Sequence, residues 1–353
     1  MKKLIMMATM AIAASTLFAQ TNVVPYSPGV STGRVTYSLP QTTLRIAITV
    51  EERKYTPGEF SHYAERYLKI TGVSDTEEKS SSITNIEVMP AGVPDPGKVY
   101  SVQVNGKSIA PNVQLTKDGI LSAINTRMEN PRKKPEQIAA PQPKVNPYDY
   151  LTEEILMASS TAKMAELTAQ EIYSIRESRN EITRGQAEYI PSDGESLKYM
   201  IDNLNMQEQA LMQMFTGTRE TVSRTTMIEY TPQTTEKNKV LFRISDKLGV
   251  VDSLNLAGAP VYISVVSQNT LPNAGVTADK KGSKKDNSIR YCVPGRASVR
   301  IFSNRQTYFD DDIAIAQFGN IETLSASLLT KSANSRIIFD TATGGILSIE
   351  SDK

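Results

Sequence analysis

Thr43-Leu44-Arg45-Ile46-Ala47-Ile48-Thr49-Val50 is the stretch that decides the fold class. Leu44, Ile46, Ile48 and Val50 recur at period two, which puts them on one face of a strand and marks that face as buried. Further along, Ile155, Ala158, Ala162, Ala165, Ala169 and Ile172 alternate by three and four. That spacing lines one stripe of a helix, and the small residues in it admit a close neighbour. Strand and helix patterns occupy separate blocks of the chain, so the class is α+β.

Outward from the first stretch, Val35 to Pro40 reads as another strand. Thr56-Pro57-Gly58-Glu59 reads as a helix start, with Thr56 as cap, Pro57 at the first helical position and Glu59 closing a capping box. Phe60, Tyr63, Ala64, Tyr67 and Leu68 follow as its apolar stripe. Further strands are expected at Ile83 to Val88, Val99 to Val104 and around Ile120-Leu121, which makes residues 30–125 a small N-terminal α+β domain. Residues 126–149 hold Pro131, Pro135, Pro141, Pro143 and Pro147 and are expected to form an extended linker.

Residues 150–217 are expected to be a helical hairpin. Its break lies near Pro191, and Ser192 with Glu195 forms a second capping box. Leu197, Met200, Ile201, Leu204, Leu211, Met214 and Phe215 make the second stripe, and Gly217 ends it. The second helix would be about 35 Å long. From residue 218 to 353 the strand pattern returns, at Met227 to Tyr230, Val240 to Ile244, Val261 to Val266, Ala297 to Phe302 and Ile313 to Phe318. A final hairpin follows, Arg336 to Asp340 and Ile346 to Ile349 turning through Gly344-Gly345. The expectation is a C-terminal antiparallel β-sandwich.

The first residues carry an address. Lys2-Lys3, an apolar run from Leu4 to Phe18 and then Ala19-Gln20 have the form of a secretory signal, residues 1–19, cleaved after Ala19. The run is shorter than the ~20 residues a membrane span needs. No second such run follows, and aromatics at 7% with no Trp argue against an outer-membrane barrel with aromatic girdles. The expected location is the periplasm or cell surface, without a transmembrane segment after cleavage. Cys292 is the single cysteine, so no lipid-bearing cysteine stands at the cleavage position and no internal disulfide forms. Lys+Arg is 39 against Asp+Glu 38; without Lys2 and Lys3 it is 37 against 38, a formal charge of −1. So balanced a chain has no global field for nucleic acid.

Candidate chemistry is sparse. His62, the sole histidine, falls off the Phe60-Tyr63-Tyr67 stripe and is expected to be solvated, not the base of a catalytic triad. Ser160-Thr161-Ala162-Lys163 matches the Ser-x-x-Lys pattern of penicillin-recognising enzymes. Ser160 is expected inside a continuous helix, however, and neither Ser-Asp-Asn nor Lys-Thr-Gly follows. Asp310-Asp311-Asp312 lacks calcium-loop spacing and is expected to be an exposed turn before a strand. Asp279 to Asn287, rich in lysine, is expected to be a solvated loop. Cys292 is expected to be a buried strand residue. No catalytic, cofactor-binding or metal-ligating residue is assigned and no cofactor is implied.

Tyr37-Ser38-Leu39-Pro40-Gln41-Thr42-Thr43-Leu44, Gly92-Val93-Pro94-Asp95-Pro96, Leu241-Phe242-Arg243-Ile244-Ser245-Asp246-Lys247-Leu248-Gly249 and Ile315-Ala316-Gln317-Phe318-Gly319 together resemble the Bacteroidota envelope proteins grouped as domain of unknown function 4831. The resemblance covers roughly residues 33 to 350. It implies export in a Gram-negative cell; the family name carries no activity, so no catalytic residue is transferred from it. The functional expectation is an exported, non-enzymatic cell-envelope scaffold or interaction module that meets an envelope protein through its helical hairpin. The alternatives are a glycan- or peptide-acting hydrolase with a carboxylate pair, and a carbohydrate-binding module using Tyr262, Tyr291 and Tyr308.

Overall fold

The computed structural model describes residues 29–31, 34–103, 113–127, 145–271, 288–324 and 335–351. The expected signal at 1–19, most of the Pro-rich stretch, the basic loop at 279–287 and Asp352-Lys353 lie outside the described residues. The strands are β1 (Gly29–Ser31), β2 (Arg34–Thr56), β3 (Glu78–Gln103), β4 (Val113–Leu115) and β5 (Leu121–Ile124). Three helices follow, α1 (Glu153–Leu156), α2 (Thr161–Arg184) and α3 (Gly194–Thr216). After them come β6 (Thr218–Tyr230), β7 (Glu236–Ser245), β8 (Gly249–Val251), β9 (Ala259–Ser267), β10 (Ile289–Phe302), β11 (Thr307–Leu324), β12 (Ser335–Phe339) and β13 (Ile346–Ser351). Helices and antiparallel sheets together make the class α+β.

β2 is the spine of the first sheet. β1 pairs with its start, β3 runs antiparallel beside it from Arg34↔Gln103 to Tyr55↔Glu78, and β6 pairs with its other side from Leu44↔Tyr230 to Thr56↔Thr218. The stretches Val35–Pro40 and Thr43–Val50, expected as two strands, are one strand of 23 residues with a bulge between Ser38 and Pro40. Likewise Ile83–Val88 and residues 99–103 of the expected Val99–Val104 belong to one strand of 26 residues that runs through Pro90 and Pro94, and Val104 lies outside the described residues. Both prolines sit on the same side at even spacing, and β3 is an edge strand, where a missing N–H directed outward breaks no ladder bond.

A second sheet has the order β11-β10-β9-β7-β8, and a third the order β13-β12-β5-β4. Two of the three sheets draw strands from both ends of the chain. β6 completes the sheet of β2, and β12 pairs with β5 at Ile337↔Ile124 and Ile338↔Ala123. The boundaries expected at 125 and 217 are therefore not boundaries between sheets.

The cores follow the same rule. Leu44, Ile46, Ile48 and Val50, the face expected to be buried, share one apolar cluster with Phe242, Val261, Ile263, Val265, Val299, Ile301 and Ile315 of the second sheet. Each fully buried aliphatic side chain there contributes about 1.5–3 kcal/mol. A smaller cluster joins Tyr37 and Leu39 of β2 to Leu121, Ile124, Ile337 and Phe339 of the third sheet. Tyr37 is clasped by the backbone of Arg290: its hydroxyl donates to the carbonyl at 3.0 Å and accepts from the N–H at 2.7 Å. Burial pushes that phenol up to about 12, so it stays protonated and able to donate.

The helix expected at Thr56 does not form. Thr56 still belongs to the ladder opposite Thr218, and Ser61–Tyr63 is a 3₁₀ turn that runs into a π-helical turn over Ala64–Leu68. The reason is steric. The chain passes so close to α3 that a Cβ on Gly58 would lie 2.2 Å from the carbonyl oxygen of Met214, and the Phe60 N–H donates to that same oxygen at 2.7 Å. With one backbone donor committed to α3, a regular helical turn cannot start there. Phe60, Ala64 and Leu68 are nevertheless buried, as the stripe predicts.

Candidate functional site

Phe60, Ala64 and Leu68 anchor the inner half of a helical pair. They pack with Leu151, Ile155, Ala165, Ala169, Ile172, Leu211, Met214 and Phe215 in a third apolar cluster, where the rings of Phe60 and Phe215 lie 5.4 Å apart. The helical block is not one continuous run. α1 is capped by Thr152 and ends at Leu156; α2 begins after Ser160 and stops at Gly185, whose φ of 69° suits glycine. α3 is capped by Asp193, which accepts from the Ser196 N–H at 2.7 Å, one residue later than the expected Ser192. Ala158 thus lies in the break between α1 and α2 instead of on a helical stripe. The Pro-rich stretch ends in a 3₁₀ turn, Pro147–Tyr150, capped by Asn146, so its last residues are not extended.

Beyond the anchor the two helices leave the core. From Arg176 to Gln209 no residue is buried. A polar clamp holds the helices together here. Glu208 accepts from Arg176 Nε at 2.6 Å and from an Arg179 NH group at 2.5 Å, and Arg179 also reaches Asn205 Oδ1 at 2.8 Å. Later positions on α2 meet earlier positions on α3, so the two run in opposite senses. Burial pushes the Glu208 carboxyl up, but the two guanidiniums outweigh it and hold it below the usual glutamate range. Arg179, Asn205, Glu208, Gln209, Met212 and Gln213 line a concavity of about 500 Å³ on this surface. At the far end Tyr189 and Tyr199 are 73% and 76% exposed, with Ile190 beside Tyr189 in sequence at 36%.

A larger concavity of about 730 Å³ lies at the root of the pair, lined among others by Glu59, Tyr148, Gln213, Arg219 and Glu220. The Tyr148 hydroxyl donates to Glu59 Oε2 at 2.5 Å, and that bond raises the tyrosine pKa. Glu220 stands opposite Lys54 in the β2–β6 ladder. Sequence reading did not find this grouping, because its acids come from a turn after β2 and from β6, more than 150 residues apart.

The residues singled out in sequence are not brought together. His62 is exposed in the 3₁₀ turn, with Nδ1 3.7 Å from Asp75. Ser160 is the cap of α2 rather than a mid-helix residue; its Oγ accepts from the Lys163 N–H at 3.3 Å. The Lys163 ammonium is 3.1 Å from Glu166. Asp310, Asp311 and Asp312 do not form a turn: they lie in β11, paired with Arg300, Val299 and Ser298. They are exposed, as expected, and Asp310 is 3.7 Å from Arg300. Among the described residues no group of three or more His, Cys, Asp or Glu is placed to hold a metal ion.

Cys292 is a buried strand residue of β10, and burial raises its thiol to about 11. Tyr262, Tyr291 and Tyr308 do not share an exposed face. Tyr262 packs on Phe302, Tyr291 donates to Glu322, and Tyr291 and Tyr308 border different apolar clusters.

The distinctive segments of the sequence turn out to be fasteners. The Gln317 carboxamide closes on the Thr42 backbone from both sides, accepting from its N–H and donating to its carbonyl, each at 2.9 Å. Thr42 Oγ1 in turn accepts from the Ala316 N–H and donates to the Ala342 carbonyl, tying β2, β11 and the last turn together. Arg243 bonds the carbonyls of Ser253 and Gly258 and so pins both ends of the loop between β8 and β9.

Neither the curated proteins nor the solved structures contain a match to this chain. The family described as domain of unknown function (DUF4831) matches residues 33–347, which takes in both the Tyr37–Leu44 segment and the Gln317 fastener. The chain therefore belongs to the DUF4831 family.

Proposed function

We propose that this is an exported, non-enzymatic envelope protein of Bacteroidota, acting in the periplasm or at the cell surface as a scaffold that engages an envelope protein through its helical pair. In this reading the first two sheets form a sandwich that carries α2 and α3 as a hairpin. The Lys2-Lys3 and Leu4–Phe18 pattern supports export, and no described helix is long and apolar enough to cross a membrane. One observation carries the interaction role. The inner half of the pair is locked into a core, whereas 34 consecutive residues from Arg176 to Gln209 are without a buried side chain and end in two open tyrosines. Exposed Tyr beside an apolar residue has the composition of a protein-contact hot spot.

Mild crosslinking in the native envelope followed by affinity recovery tests this. A stoichiometric protein partner is expected, and it is lost in Tyr189→Ser with Tyr199→Ser while thermal stability stays unchanged. Recovery of the chain alone refutes the reading. A second reading, glycan binding or hydrolysis, draws on one observation, the concavity holding both Glu59 and Glu220.

A further inference from the structure

β6 continues directly from α3 and forms the outer edge of the first sheet. Among the described residues it pairs only with β2. Residues 221–227 are all exposed, and because successive side chains point to opposite sides, both faces of the strand are open there. Its register against β2 is unbroken from Thr218 to Tyr230, with no bulge and no Pro or Gly. Natural edges are usually blunted by bulges, Pro or charged side chains; β6 lacks the first two and carries charges, so a partner strand must match them.

The sequence of this edge names its partner. If a second strand pairs antiparallel about a twofold axis at Val222, Val222 meets Val222 of the second copy. Glu220 then faces Arg224 and Arg224 faces Glu220, Thr218 faces Thr226, and on the opposite side Thr221 faces Ser223. The Glu220–Arg224 pair thus forms twice, once on each side of the axis. Moving the axis to Ser223 sets Arg224 against Val222, and moving it to Arg224 sets that guanidinium against its own copy. Directly opposed opposite charges stabilise an antiparallel pair and like charges destabilise it, so one register is preferred.

The pairing also extends rows already present. Lys54 stands opposite Glu220, so Arg224 of the second copy continues an alternation of sign across three strands. On the other face Thr225, already hydrogen-bonded to Thr49 at 3.1 Å, faces Arg219 of the second copy. We infer that β6 is a self-association edge, through which two copies of this chain join their first sheets into one continuous sheet centred on Val222.

Sedimentation velocity and crosslinking of the purified full chain test this. A concentration-dependent dimer is expected. Val222→Cys should give a covalent dimer on oxidation or with a short bis-maleimide, because the two substituted positions are direct neighbours. Thr226→Cys should not, since its own copy lies eight positions away along the paired strands. The native Cys292 is buried and adds little background. Arg224→Glu should weaken the dimer at least tenfold by opposing two glutamates, and Glu220→Arg added to it should restore dimerisation. A monomer at all concentrations, a dimer unmoved by Arg224→Glu, or crosslinking through residue 226 instead of 222 overturns the inference. The test does not touch Tyr189 or Tyr199, so its failure and failure of the scaffold reading are separable.

Discussion

Phe60→Ala asks whether the helical pair and the first sheet form one cooperative structure. Phe60 is fully buried, in the turn that leaves β2, and its ring lies 5.4 Å from that of Phe215 near the end of α3. Truncation removes the transfer energy of the ring and leaves a cavity, together about 3–5 kcal/mol for a buried phenylalanine. The backbone need not move, because the Phe60 N–H bond to Met214 does not depend on the side chain. Phe215→Ala should cost a similar amount. The double variant should cost less than the sum by about 0.5–1.5 kcal/mol, the coupling of a tilted aromatic pair. Urea unfolding followed by far-ultraviolet circular dichroism reads helix and sheet together, and the 15 tyrosines give a second probe in a chain without Trp. At a urea slope of about 3 kcal/mol per M, each single variant lowers the midpoint by about 1 M or more. A loss under about 1 kcal/mol for Phe60→Ala, or additive losses in the cycle, refutes the packing argument. Two separated transitions in the wild-type chain would show instead that the pair unfolds on its own.

Two further predictions concern titratable groups. Glu208 is held below the usual glutamate range in the folded chain, so its stabilisation is fully present above the ordinary value of about 4.3 and is lost as pH falls through the lowered one. Glu208→Gln should therefore cost about 1–3 kcal/mol at pH 7 and almost nothing at pH 2; a gap independent of pH would remove the clamp from the argument. Cys292, buried and raised to about 11, should resist a thiol reagent at pH 8 in the native chain and react at one equivalent per chain in denaturant. Rapid native labelling contradicts its placement.

Periodicity was enough to mark which faces leave water. The alternation in Leu44-Arg45-Ile46-Ala47-Ile48-Thr49-Val50 marks a buried strand face, and all four apolar residues are in the core. The three-and-four spacing through Ala165, Ala169 and Ile172 does the same for α2. These patterns record which side of an element leaves water, and that cost is paid residue by residue. Strand limits were less legible. Pro90 and Pro94 look like breaks in sequence because a proline disrupts a ladder, yet on an outer edge the lost donor has no partner to disappoint.

Partnership was decided only in three dimensions. Thr56 carries a good helix-start signal, but pairing with Thr218 and the approach of Met214 to Gly58 outweigh a cap worth about 1 kcal/mol. Nothing in the spacing of residues 34–56 says that β6 will lie beside them, or that Ile124 will meet Ile337. Hydrophobic burial is non-directional and tells a strand that it needs a cover without telling it which. The choice was made by the fit of whole sheets and by a few directional fasteners, Gln317 on Thr42 and Tyr37 on Arg290, whose partners lie more than 250 residues apart.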